Sequence, residues 1–142
     1  MYKRQAYEHA IGQLSGSEKC GTIHELAVAP DEAYAGMLDI IDSGEPLAQN
    51  YVAVFDDIAI GAMKAFIERG YRAPDDVSMI GFDDLSVGAF SNPPLTTVHV
   101  PKHEVGEIAV RRLVGNIRNP KSYTCKTAVS TYFVERQSVR EL

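Results

Sequence analysis

Two stretches of the same form decide the fold: Tyr51-Val52-Ala53-Val54-Phe55-Asp56-Asp57 and Val77-Ser78-Met79-Ile80-Gly81-Phe82-Asp83-Asp84. Each is an apolar run closed by an acidic pair. A short continuous apolar run bounded by polar residues suits a strand covered on both faces, as in a parallel sheet. Between the runs, Ile58, Ala62, Ala65 and Phe66 recur at helical spacing as far as Arg69. Asp56-Asp57 can cap this helix and Gly70 can stop it. Pro74-Asp75-Asp76 then turns the chain into the second run. Strand, acidic pair, helix, strand is the rhythm of parallel α/β architecture. The two runs are therefore expected to be adjacent parallel strands.

The flanking sequence extends the pattern. Upstream, Pro30 opens a helix with Asp31 and Glu32 in its first turn, where acidic side chains suit the exposed amides. Ala33, Met37, Leu38 and Ile41 form its apolar stripe, and Ser43-Gly44 ends it. Thr22 to Val28 alternates loosely and reads as a short strand, while Tyr7 to Leu14 carries a weak helical pattern broken by Gly12 and Gly16. Downstream, Ser91-Asn92-Pro93-Pro94 is too rich in proline to continue a helix. Thr96 to Val100 is strand-like. Pro101 opens a helix to about Ile117, whose buried face is expected to be Val105, Ile108, Ala109, Leu113 and Val114. Asn119-Pro120 marks its exit, and Thr131 to Val134 supplies a last strand.

The chain has 142 residues, enough for one ordinary core or parts of two lobes, and 45% of them are hydrophobic, so a packed state is expected. Its 14 basic and 19 acidic residues give a net charge of -5, which argues against a large nucleic-acid footprint. No uncharged apolar run approaches the roughly 18 residues of a membrane span. The amino terminus lacks the apolar core of a secretion signal, so the expected location is the cytoplasm. Cys20 and Cys125 sit in no paired motif and are read as reduced thiols. His99 and His103 are four apart, but Pro101 between them disfavours one shared helical face. Neither a metal site nor a cofactor is expected.

In open parallel sheets, ligands bind beyond the carboxyl ends of the strands. Asp56, Asp57, Asp83 and Asp84 fall there. Such carboxylates can accept hydrogen bonds from sugar hydroxyls or serve acid–base chemistry, and they can equally cap helices and form turns for local reasons. No GxSxG elbow, P-loop or dinucleotide fingerprint occurs, and no cysteine has an evident histidine partner. An enzyme is not expected. No helix pair with a basic recognition face suggests direct DNA reading either.

Asp57-Ile58-Ala59-Ile60-Gly61-Ala62-Met63, then Gly70, then Val77 to Asp84 resembles the helix and glycine–aromatic–Asp-Asp signature of LacI/GalR transcriptional repressors. Pro93-Pro94-Leu95-Thr96-Thr97-Val98 resembles the family's crossing segment between lobes, and Phe133-Val134-Glu135-Arg136-Gln137-Ser138 its closing strand. The blocks keep family order and spacing from about Ala6 to Ser138. The resemblance implies a truncated, periplasmic-binding-protein-like α/β fold, with parallel sheets flanked by helices. Residues 6–95 would be part of the carboxyl-terminal lobe, 96–128 a piece of the amino-terminal lobe, and 129–142 the closing strand and tail. It further implies a small effector, commonly a sugar and sometimes a purine or nucleoside, held in the interlobe cleft.

Residue by residue, Asp83 falls where a family carboxylate grips sugar hydroxyls. Phe55 replaces a common asparagine, Val100 a common glutamine, and Asp31 lies near an aromatic that stacks on sugar in some members. These departures imply a more apolar pocket. Asp56 keeps a family acid. Ile60, Met63, Phe90 and Ser91 fall at the homodimer contact. Operator DNA would be bound only through a helix-turn-helix head absent from this stretch. Met1-Tyr2-Lys3-Arg4-Gln5 resembles translated adapter DNA, in which case the genuine protein begins near Ala6 and Lys3 and Arg4 have no ligand role; a native terminus is the alternative. A periplasmic sugar-binding protein of the same superfamily is the alternative, distinguished by whether a secretion signal or a helix-turn-helix lies upstream.

Overall fold

A computed structural model describes residues 2–15, 21–120 and 123–140. In chain order it contains α1 (Tyr2–Ser15), α2 (Pro30–Asp42), β1 (Asn50–Val52), α3 (Asp56–Glu68) and β2 (Ser78–Ile80). A short 3₁₀ turn (Ser86–Phe90) leads into β3 (Thr97–His99), α4 (Lys102–Arg118) and β4 (Tyr132–Val134).

The two apolar runs are parallel neighbours, with Tyr51 opposite Met79. Hydrogen bonding continues past the strands proper: Ala53 N donates to Ile80 O at 2.8 Å and Asp56 N to Phe82 O at 2.9 Å. The end of β2 and its following loop run parallel to β3 through the bridges Ile80–Thr96 and Asp83–His99. β3 then pairs antiparallel with β4, Val98 opposite Phe133. Two two-stranded sheets, β1–β2 parallel and β3–β4 antiparallel, are thus linked by these isolated bridges.

α2 and α3 pack together on this frame. Gly61 makes their approach possible, because a Cβ there would run into backbone and side chain of α2, including Tyr34 N at 2.9 Å and Ala33 Cβ at 3.0 Å. The core is Met37, Ala59, Ala62, Ala65, Phe66, Val77, Met79 and Leu95. Phe66 is its largest member, and each such buried side chain contributes about 1.5–3 kcal/mol by leaving water. Its ring lies 5.1 Å from that of Tyr51 and meets Tyr71 edge-on at 5.5 Å.

Four sequence expectations require correction. The first apolar run is covered on one face only: Tyr51 and Ala53 pack on the core, whereas Val52 and Val54 are exposed. Apolar continuity marks a strand but cannot say how many faces find a partner. Thr22–Val28 forms no strand; it contributes Leu26 to the core without joining a ladder. α1 begins earlier than the Tyr7–Leu14 pattern and runs through Gly12. Finally, α4 buries none of its residues within this chain: Val105, Leu113 and Val114 are exposed and Ile108 is only half-buried. Periodicity finds a helix and its stripe, but a stripe is buried only where another element meets it.

Ser138 closes the structure. Its hydroxyl donates to Met79 O at 2.6 Å and accepts from Thr96 N at 2.8 Å, while its carbonyl accepts from Met79 N at 2.8 Å. Among the described residues no helix is long and apolar enough to cross a membrane.

Candidate functional site

The carboxyl ends of β1 and β2 bring together two aromatic rings, a lysine and the acidic pairs. Phe55 immediately precedes α3 in extended geometry, with φ -145° and ψ 150°. Phe82 follows β2. The Lys3 ammonium, carried by the first turn of α1, lies 4.3 Å from the Phe55 ring centroid and 3.7 Å from that of Phe82. It donates a hydrogen bond to Val54 O at 2.6 Å. Burial lowers the Lys3 pKa below the usual lysine value, against the opposing pull of the Asp83 and Asp56 charges. Lys3, which falls in the stretch that resembles translated adapter DNA, is placed here as the basic side chain nearest the two rings.

The two acidic pairs have opposite fates. Asp56 is fully buried in the first turn of α3, and no side-chain cap bond precedes the helix. Its carboxylate accepts from Thr97 Oγ1 at 2.6 Å and from Leu85 N at 2.7 Å. The expected capping role is therefore replaced by a tie from α3 to the loop after β2 and to β3. Asp83 is half-buried, and its backbone adopts φ 117°. Its amide donates to Val98 O at 2.9 Å, and Lys102 Nζ donates to its carbonyl. Among the described residues no hydrogen bond engages the Asp83 carboxylate, which leaves its acceptors available to a hydroxylated ligand.

Asp84, at φ 53°, is the clamped member of the second pair. It receives Arg136 Nη2 at 2.6 Å and pairs with His99 Nδ1 at 2.8 Å. Burial pushes its carboxyl upward, but the bonds and charges of Arg136 and His99 outweigh this and hold its pKa below the ordinary carboxylate value. The His99 ring stacks on Tyr132 at 4.5 Å. Neither Arg136 nor His99 stood out in the sequence as a partner of Asp84, because both lie far along the chain.

The other expected residues are more scattered. Val100 is half-buried just past β3, and its carbonyl accepts from Lys102 N at 2.7 Å. Asp31 is exposed in the first turn of α2, and no polar or ring contact joins it to Lys3, Phe55 or Asp83. Asp57 is half-buried. Of the expected self-association residues, Phe90 is 88% exposed, Ile60 and Ser91 are half-buried, and Met63 is sealed at 2%. Among the described residues no group of His, Cys, Asp or Glu could hold a metal ion. Cys125 is exposed, and Cys20 lies outside the described residues.

A cavity of about 720 Å³ opens at the opposite end of the parallel strands, lined by Leu47, Gln49, Phe66, Arg69, Tyr71 and Val77 among others. It lies at the amino ends of β1 and β2, away from the end where ligands bind in open parallel sheets.

Residues 3–139 match the family model of the periplasmic binding protein-like domain. The chain is 32% identical over 141 residues to the HTH-type transcriptional repressor PurR of Mannheimia succiniciproducens, covering 97% of this chain and 41% of that protein. It is 40% identical over 87 residues to the probable HTH-type transcriptional repressor ExuR of Bacillus subtilis, covering 61% of this chain and 26% of that protein. Among solved structures, the transcriptional regulator CelR–cellobiose complex superposes with a TM-score of 0.83 at 27% identity, covering 94% of this chain and 41% of that one. A LacI family regulator from Enterococcus faecium with bound ribose gives 0.73 at 26% identity, covering 82% and 42%. The chain thus spans less than half the length of these relatives. It belongs to the periplasmic-binding-protein-like domain family and is homologous to the LacI/GalR-type transcriptional regulators within it.

Proposed function

We propose that this chain is part of the effector-sensing region of a LacI/GalR-type transcriptional regulator. It would bind a small polyhydroxylated effector, a sugar or related metabolite, at the carboxyl ends of β1 and β2. The observation that carries this reading is the uncommitted Asp83 carboxylate beside the Lys3–Phe55–Phe82 cluster. One carboxylate to accept from hydroxyls, one ammonium to donate, and two rings to cover an apolar ring face form a small, mixed recognition set. Cellobiose and ribose in the solved relatives belong to this ligand class. Val100, just past β3, would line the cleft, and Asp31 would approach it from α2.

Effector binding would act by linkage, through different affinities for two lobe arrangements. Operator contact would be made by a helix-turn-helix head, consistent with the HTH-type relatives. The regulator would work as a homodimer in the cytoplasm, with Ile60, Phe90 and Ser91 at the subunit contact and Met63 supporting them from beneath.

The test is calorimetry on the full-length regulator carrying this segment, titrated with cellobiose, D-ribose and a panel of monosaccharides and nucleosides. One of them binds, and Asp83→Ala weakens that binding by about 2 kcal/mol, roughly thirtyfold, without loss of folding. Binding of none of them, or an unchanged affinity in Asp83→Ala, would overturn the assignment.

A further inference from the structure

Asp83 and Asp84 are consecutive non-glycine residues with positive φ, 117° and 53°. L-residues rarely adopt such backbone unless their surroundings impose it. Here the surroundings come from three separate segments. The Asp83 amide is held by Val98 O, and the Asp84 amide faces Thr97 Oγ1 at 3.4 Å, both on the β3 segment. The Asp84 carboxylate is gripped by Arg136 from beyond β4 and by His99 from β3. Arg136 is itself fixed, its Nη1 donating to Leu95 O at 2.7 Å and its amide to Thr96 Oγ1 at 2.9 Å. Side chains of Asp84, Arg136 and His99 are 18%, 19% and 28% exposed, so water competes little for these bonds.

We infer that Asp84 is a positioning residue: gripped by Arg136 and His99, it holds the Asp83 backbone in its left-handed conformation and so aims the Asp83 carboxylate. This inference rests on the sensor reading for its purpose, though not for its geometry. The physical reasoning is direct. Two hydrogen-bonding partners, Arg136 on Oδ1 and His99 on Oδ2, fix the carboxylate's position on two axes. The neighbouring backbone, which would otherwise relax toward negative φ, is then over-determined. Because the grip comes from β3 and the closing segment, a shift of those strands relative to β2 would re-aim Asp83. Asp84 therefore ties ligand contact to strand arrangement without touching the ligand.

Hydrogen-exchange mass spectrometry on the whole protein, with residue-level fragmentation, tests this without any ligand. In Asp84→Ala the Asp83 amide exchanges at least about tenfold faster, while the Met79 and Ala53 amides keep their wild-type rates. Asp84→Asn retains hydrogen-bonding atoms for Arg136 and tolerates positive φ, and it restores the Asp83 rate to within about threefold of wild type. A merely structural salt bridge would raise exchange evenly across the chain. An even rise, an unchanged Asp83 rate in Asp84→Ala, or failure of Asp84→Asn to rescue it overturns the inference. Because no effector enters the measurement, its failure is separable from failure of the sensing assignment, which calorimetry decides alone.

Discussion

The Asp56 carboxylate lies directly over Gly81: a Cβ added to Gly81 would fall deep inside the van der Waals radius of Asp56 Oδ1 and 2.9 Å from Leu95 Cδ2. That glycine is the reason a fully buried carboxylate can reach across the sheet to Thr97 and Leu85 at once. Gly81→Ala forces either Asp56 or Leu95 out of place. We expect a loss of roughly 2–3 kcal/mol, at the upper end of the range for overpacking. Urea denaturation should show a lower midpoint with an unchanged slope. A midpoint equal to that of the wild type would mean the carboxylate can move aside freely.

Self-association should depend on Phe90. Its side chain is 88% exposed, so replacing it removes no internal packing. In the full-length regulator, Phe90→Asp places a charge in the proposed subunit contact, where it would be desolvated on association. Sedimentation velocity is expected to show a shift to monomer, with circular dichroism unchanged. A dimer of wild-type affinity would place the contact elsewhere. Ile60→Asp is the less decisive variant, since half of that side chain already packs in this chain's own core.

Stability in acid should carry the signature of Asp84. Its folded pKa lies below the ordinary value of about 3.9, so its contribution is present above that value and is lost as pH falls through the folded pKa. Thermal midpoints of wild type and Asp84→Asn are therefore expected to converge on going from about pH 5 to about pH 2. Parallel pH profiles for the two proteins would show that the carboxylate contributes no charge-dependent stability.

The parallel pair was legible in the sequence because each run is apolar, short and closed by acidic residues, with a helix of crossover length between them. The helix between them was equally plain from Ile58, Ala62, Ala65 and Phe66. The different roles of the two acidic pairs were not legible. Asp56-Asp57 and Asp83-Asp84 read alike, yet one opens a helix and turns inward while the other sits at positive φ and leaves a carboxylate open. That distinction is set by tertiary partners 15 to 52 positions away, among them Leu85, Thr97, His99 and Arg136. Lys3 was set aside because Met1–Gln5 resembles adapter sequence, and its place beside Phe55 and Phe82 comes from α1 meeting two strand ends that share no local pattern. The stripe of α4 was found correctly as a stripe and misread as buried, because sequence period reports a face and not its neighbour.

The seat of Ser138 sets an order on synthesis. β2 hydrogen-bonds through Met79 to a residue 59 positions later, and that residue also anchors Thr96. Contacts of such long sequence separation form slowly, because the intervening loop must first be closed. On the ribosome the helices and the β1–β2 pair can collapse early, but the bonds of Met79 and Thr96 to Ser138 stay unmade until residue 138 has emerged. During that interval the edge beside Met79 is an unsatisfied strand, the kind of surface that chaperones hold and that neighbouring nascent chains can capture.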